Sequence, residues 1–395
     1  MKTTKFQNNF IFNNIDSNFN EKDKTILVKL GEYWHKLDTN GILSKNKIKC
    51  DNLMSFFNSN LIVINQNNKE GIIDSNFNVV IDPQYNTVEP YLYNENLMVY
   101  QPFKKGKTTY YRPAILDLKG NVVISFKYDD LRIISLEPFL LIAKTNNKCG
   151  VINLKDEVII PFEYEDLKLC KKGTNIYLIA KRSSSNFGII DINNNIVIPF
   201  ENCCEMRSLS DKTFIKSYDK FTHYENLIFD FSNNKVCDTK FKFIKDSDCD
   251  SDIIGATIDF ENWGYIDKYG NNIIDFKYKD VHDFVRSYAF VAKDLTEKNH
   301  GLINKNGNEI LPFKFSFVAP LEIKALNNGE MFIIGQNGKF GIVDKKGNAV
   351  IDFIYDYIIE SMGYLIVTYK DKCDIFNSYF SPLEIKEVNL WKEKD

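Results

Sequence analysis

The chain has 395 residues, 44% hydrophobic and 26% charged, with a formal net charge of -3. That balance suits a folded protein with a sizeable core, and the near-neutral charge gives no pull toward nucleic acid or an anionic membrane. No apolar run nears the roughly 18–20 residues of a membrane span, and the first ten residues lack the apolar run and cleavage site of a signal peptide. The expected location is therefore the cytoplasm. Eight cysteines at positions unrelated to one another, Cys50, Cys149, Cys170, Cys203, Cys204, Cys237, Cys249 and Cys373, suit reduced thiols better than a disulfide framework.

In chain order, residues 1–59 read as an N-terminal cap. Within it Ile26, Leu27, Leu30, Tyr33, Trp34 and Leu37 fall at helical spacing, with Glu21 and Asp23 ahead and Asn40-Gly41 behind, so a short amphipathic helix is expected over 21–37. The competing reading is a worn repeat whose turn is Asp38 and Gly41; the helix is favoured. Residues 60–360 carry the dominant signal, and 361–395 read as a degenerate terminal repeat, since end units of repeat proteins are atypical.

The signal of the middle region is self-similarity. A glycine and two large apolar residues lead to an Asp or Asn anchor, then a turn and a β-branched run. The anchors Asp74, Asp117, Asn153, Asp191, Asp230, Asp267, Asn304 and Asp344 are spaced 36 to 43 residues apart, a period that marks a repeat architecture. Three residues past an anchor stands Gly120, Gly270, Gly307 or Gly347, suited to the positive φ of a turn that the Asx side chain closes on its own backbone. Asp156, Asn194 and Asn233 substitute there, and Phe77 breaks the rule. Runs such as Val79-Val80-Ile81 and Ile196-Val197-Ile198 follow as buried strands. Strands also precede the glycine, so each unit is expected to be an antiparallel meander ending at a Pro-Phe-like step, as in Pro161-Phe162 and Pro312-Phe313.

Eleven residues past the anchors are Tyr85, Tyr128, Tyr164, Phe241, Tyr278, Phe315 and Tyr355, with Asn202 as the exception. One ring per unit at fixed register is expected to bury a continuous core between units; the rival reading is an exposed ladder for bases or sugars.

Trp263-Gly264-Tyr265-Ile266-Asp267-Lys268-Tyr269-Gly270, with its following strand and Tyr278, resembles the WG repeat family of bacterial tandem β repeats. The resemblance covers about residues 60–360. Trp263-Gly264 keeps the naming pair, Phe187-Gly188 and Phe340-Gly341 keep an aromatic, and Gly71, Gly150 and Gly301 keep only the glycine, while Pro113-Ala114 and Asn226-Leu227 lose it. The family implies a β repeat domain with no catalytic residues to carry over. The expected fold is all-β, β-propeller-like, with an open superhelical stack as the alternative.

No catalytic or metal-binding constellation is evident. His35, His223, His282 and His300 fall in no metal spacing and read as ordinary loop or surface residues, and the repeated Asp anchors read as turn formers. Neither a cofactor nor a metal is expected. Three longer connections stand out as candidates for specificity, at 104–112, 181–186 and 293–299, the first carrying Lys104, Lys105, Lys107, Tyr110, Tyr111 and Arg112. The acidic stretch Asp246–Asp252 lacks the glycine and terminal glutamate of a calcium loop. The function expected is a non-catalytic scaffold that binds another protein; the alternative is an enzyme or small-ligand receptor with a pocket.

Overall fold

The computed structural model describes residues 12–16, 24–56, 59–172, 175–219, 224–237, 239, 241–245, 252–284, 287–294, 300–315, 325–326, 331–336, 338–361, 364–370 and 372–377. Among them the fold is all-β and propeller-like: ten small antiparallel sheets, each built from strands consecutive in sequence. In chain order they span residues 14–49, 52–85, 87–124, 130–164, 166–202, 205–230, 243–278, 280–315, 325–355 and 357–377. The chain divides into two compact units. The first is residues 1–127 with 321–395, holding the first three and last two sheets, and the second is 128–320, holding the other five.

The turn reading holds at atomic detail. In the sheet around Asp74, Oδ1 accepts from the backbone N–H groups of Asn76 and Asn78, both at 2.8 Å, and Asn78 Nδ2 donates to Oδ2 at 2.9 Å. The same pair of backbone bonds recurs at Asp117, Asn153, Asp191, Asp230, Asp267, Asn304 and Asp344. The third residue after each anchor has positive φ, including Phe77 at 67° where glycine is absent.

The glycine three residues before the anchor has a different task. There the outermost strand shifts register and its backbone crosses directly over the third strand. A Cβ on Gly264 would stand 2.5 Å from the carbonyl oxygen of Ile274, and one on Gly150 2.6 Å from that of Ile160. Only a residue without Cβ admits this contact. Where Ala114 replaces the glycine, the outer strand shortens to three residues, Val122–Ile124, against seven in the sheets that keep it. With Leu227 there, the sheet has three strands, and the fourth segment touches it through the isolated bridges Phe229↔Lys235 and Asn226↔Phe241.

The repeated aromatic is buried at all seven positions, as the packing reading requires. Tyr128 stacks on Phe162, Tyr164 on Phe200 and Tyr278 on Phe313, with centroids 5.9–6.3 Å apart and planes within 13°. Each ring thus packs on the phenylalanine of the next sheet's Pro-Phe-like step. The hydroxyl adds a second tie: Tyr128 donates to Asp156 Oδ1 and Tyr164 to Asn194 Oδ1, each at 2.7 Å, joining one sheet to the turn of the next.

The helix expected over 21–37 is not formed. Residues 21–23 lie outside the described set, and the rest is a β-hairpin, Thr25–Leu30 and Tyr33–Asp38, turning at Gly31 with φ 60°. The helical spacing arose because both strands pack apolar side chains on both faces, which breaks the simple alternation of a half-buried strand. The worn-repeat reading is the correct one: Asp38 Oδ1 accepts from the N–H groups of Asn40 and Ile42, and Gly41 has φ 79°. At the other end, Cys373 pairs with Phe12 through two backbone hydrogen bonds of 3.2 and 2.9 Å. Phe12, fully buried, occupies beside Cys373 the place that Tyr278 takes beside Trp263. The last sheet is completed by the chain's beginning.

Two expectations test this account by denaturant titration. Gly264→Ala lowers stability by about 1–3 kcal/mol, the usual range for overpacking a tight site. Tyr164→Phe loses about 1 kcal/mol with its hydrogen bond, whereas Tyr164→Ala loses about 3–5 kcal/mol.

Candidate functional site

The segment 104–112 is not a loop. Asn96–Lys105 and Thr108–Asp117 form one hairpin of two ten-residue strands, the longest in the described structure, turning at Gly106 with φ 63°. Its inner half, Leu97–Val99 against Ala114–Leu116, is core; its outer half, from Phe103 to Tyr111, extends into solvent. Phe103 pairs with Tyr110 and Pro102 with Tyr111, and the three rings are 40%, 52% and 54% exposed. The Arg112 guanidinium lies 3.8 Å over the Phe103 ring, which holds the face in shape for about 0.5–1 kcal/mol. With Lys104, Lys105, Lys107 and Arg112 and no acidic residue between Asn96 and Leu116, the hairpin is strongly cationic.

In the other two connections, one basic residue each packs on a ring. Arg182 stacks 3.8 Å over Phe200, and Lys293 lies 3.8 Å over Phe313 and 3.6 Å from Glu309. Residues 295–299 and 246–251 lie outside the described residues, and with them most of the third connection and of the acidic stretch.

A second feature lies wholly in the 128–320 unit. Fifteen residues past Asp117, Asn153, Asp230 and Asp267 stand Arg132, Lys168, Lys245 and His282, and sixteen past Asp191 stands Arg207. This basic series holds in five of the eight units, with Glu89, Ala319 and Ile359 at its place in the others, and was legible in the sequence, but a recurring charge is easily read as a solvated face. Most of it links neighbouring sheets. Arg132 donates to Asp166 Oδ1 at 3.0 Å, Arg207 to the Ile244 and Lys245 carbonyls, and Lys245 to the Val281 carbonyl.

Lys168 makes no such link among the described residues; it is exposed and lines a cavity of about 560 Å³. Three sheets supply the walls: Phe187, Phe243 and Phe260 give aromatic surface, and Lys168, Lys181, Arg207 and Lys242 outnumber Asp166 and Glu205. Its floor includes Ser217 and Asn226, both buried. Ser217 Oγ donates to Asn226 Oδ1 at 2.7 Å, and Asn226 Nδ2 donates to the Phe241 and Lys242 carbonyls at 3.2 and 2.9 Å. Asn226 stands where the repeat has tryptophan, so the cavity opens beside the sheet that lost its naming pair. Aromatic walls with excess positive charge suit a ligand with a planar apolar part and an anionic group.

Against known proteins, six stretches match the WG containing repeat family, at residues 71–101, 115–149, 150–172, 263–294, 301–340 and 340–373. The chain is a WG repeat protein. Gly71, Gly150, Gly264, Gly301 and Gly341 all lie in those stretches and all mark the strand crossing; Gly188, which marks it too, and the cavity's sheet at 205–230 fall in the unmatched stretch 173–262. Among curated proteins none matches. Of solved structures, a eukaryotic initiation factor aligns with a TM-score of 0.54 at 11% identity, covering 80% of this chain and 90% of that one, a likeness of fold alone. The computationally designed Ika8 protein aligns at 8% identity over 72% of this chain and 93% of that one, with a TM-score of 0.36 that carries no argument. No helix among the described residues is long and apolar enough to cross a membrane.

Cys204 lies exposed on the cavity wall beside buried Cys203. Burial, with Glu201 nearby, pushes the Cys203 thiol up to about 12, so it stays protonated and unreactive at ordinary pH. Iodoacetamide at about pH 8 is expected to modify Cys204 and to leave Cys203 intact until the protein is denatured. Equal labelling of both in the native protein, read by peptide mass mapping, contradicts the cavity geometry.

Proposed function

We propose that this WG repeat protein is a non-catalytic intracellular binding module that engages an acidic partner protein through the outer half of the Asn96–Asp117 hairpin. The observation that carries the reading is the exposure of Phe103, Tyr110 and Tyr111 within a segment that has four cations and no acid. Aromatic rings with arginine are the side chains that dominate protein interfaces, and a cationic surface steers an acidic partner into encounter. Ten-residue strands are longer than the sheet's own packing needs, because its core contacts end at Val99 and Ala114.

The test replaces Lys104, Lys105, Lys107 and Arg112 by serine. Exposed charges contribute little to stability, so the melting temperature is expected to stay within about 2 °C of wild type, as for a change of a few tenths of a kcal/mol. Affinity capture of the partner is expected to fall at least about tenfold, and wild-type capture to weaken as salt is raised. Equal capture by both proteins removes the hairpin from the recognition surface.

A second reading, a receptor for a small anionic aromatic ligand, is favoured by the cavity beside Lys168. Lys168→Ala with Lys242→Ala should abolish any stabilisation by such a ligand in thermal-shift measurements, and protection of Cys204 from alkylation should vanish with it.

A further inference from the structure

The sheet at 280–315 departs from the repeat in two places at once. His300 replaces the aromatic that is Trp263, Phe187 or Phe340 elsewhere, and His282 replaces the lysine or arginine of the basic series. Neither change says much alone, since the two histidines are eighteen residues apart, His282 just past the end of one strand and His300 at the start of another. Strand pairing brings them together. Ala292 on the middle strand pairs with Asp280 on one side and with His300 on the other, so Asp280 and His300 share a face, and His282, two residues past Asp280, points the same way. Ala292, with its methyl group, stands between Asp280 and His300 in the register.

One ligand atom from each of Asp280, His282 and His300 lies within 4.8 Å of the others. His282 Nε2 stands 3.3 Å from Asp280 Oδ2, and the imidazole rings are 6.3 Å apart. The two carboxylate oxygens have separate tasks. Oδ1 accepts the Val281 N–H at 2.8 Å and faces the Lys245 ammonium at 3.8 Å, which leaves Oδ2 toward the histidines. The His300 ring bonds the Phe315 backbone carbonyl, the second contact by which metal-bound imidazoles are usually oriented.

We propose that Asp280, His282 and His300 form a binding site for a divalent transition-metal ion, Zn²⁺ in the first instance. Two imidazoles and one carboxylate are a donor set for zinc rather than for Ca²⁺ or Mg²⁺, which take oxygen alone. Tetrahedral zinc needs donor atoms about 3.4 Å apart, given bond lengths near 2.1 Å. The three ligand atoms, within 4.8 Å of one another, must draw together by up to about 1.4 Å to reach this spacing. Three protein ligands leave one coordination position for water or for a partner's side chain. The Lys245 charge opposes the ion, so binding is expected to be weaker than at a structural zinc site.

The experiment uses variants that restore what other repeats carry at these positions and therefore should fold. His300→Phe copies Phe187 and Phe340, and His282→Lys copies Lys245. Wild-type protein and both variants are titrated with Zn²⁺ in the calorimeter and with Co²⁺ by visible absorption, and circular dichroism with thermal melts confirms the fold. The wild type is expected to bind one Zn²⁺ with a melting temperature raised by the ion, and to give the strong visible bands of tetrahedral cobalt. Each variant should lose at least about tenfold in affinity, together with the thermal shift and the cobalt bands. Three results would each overturn the proposal: no Zn²⁺ binding by folded wild type, variant affinities within twofold of wild type, or cobalt spectra unchanged in the variants. The last two would assign the metal to another site, such as the exposed Cys204 thiol.

Discussion

The close crossing of one backbone over another at the third strand of the repeats that keep the glycine depends on a single missing atom. Without Cβ at Gly150 or Gly264, the outermost strand shifts register and lays its carbonyl against the glycine. That crossing directs the outer strand into the Pro-Phe-like step, and so places Phe162, Phe200 and Phe313 where Tyr128, Tyr164 and Tyr278 can stack on them. The packing of one sheet on the next therefore follows from a steric condition inside each sheet. The graded loss with Ala114 and Leu227, from an outer strand of seven residues to one of three and then to isolated bridges, has the order expected if added side-chain bulk is the cause. In the first sheet the register shift falls between His35 and Leu37, so His35 itself pairs with Lys47 and a side chain is accommodated there.

A regular scaffold makes its exceptions informative. The cavity opens beside the sheet that has Asn226-Leu227, where the outer strand is held by an asparagine side chain in place of continuous pairing. The long hairpin belongs to the sheet that carries Pro113-Ala114. In both, the outer strand is shortened or lost, and the freed sequence adopts shapes the repeat does not otherwise allow. Binding surfaces on repeat proteins arise in this way because insertions are tolerated where pairing is already weak.

Most of the fold was legible because its determinants are local. Asp267, Gly270 and Asn271 specify a turn within five residues, and the aromatic eleven past the anchor keeps one register in seven of the eight units. The hairpin at 25–38 was misread because two short strands buried on both faces place apolar residues at a spacing that a helix also satisfies. The basic series from Arg132 to His282 was visible in principle, but its role depends on which cations find an acceptor on the next sheet. Lys168, which does not among the described residues, cannot be told from Arg132 by sequence. The cavity and the meeting of His282 with His300 are products of strand pairing, and no spacing rule within one segment announces them.

The bridge between Phe12 and Cys373 joins residues from opposite ends of the described chain. During synthesis, Phe12 leaves the ribosome long before its partner exists, and it must wait as an exposed apolar side chain while the intervening sheets form. The strand Lys372–Asn377, in turn, is an open edge from the time it pairs with its hairpin partner until Phe12 arrives, and such edges invite pairing with foreign strands. The final step of assembly is thus also the one most exposed to error, and a second nascent chain nearby offers the same Phe12 to the same Cys373. Exchange of the segment around Phe12 between molecules is therefore the misassembly to which this junction is open.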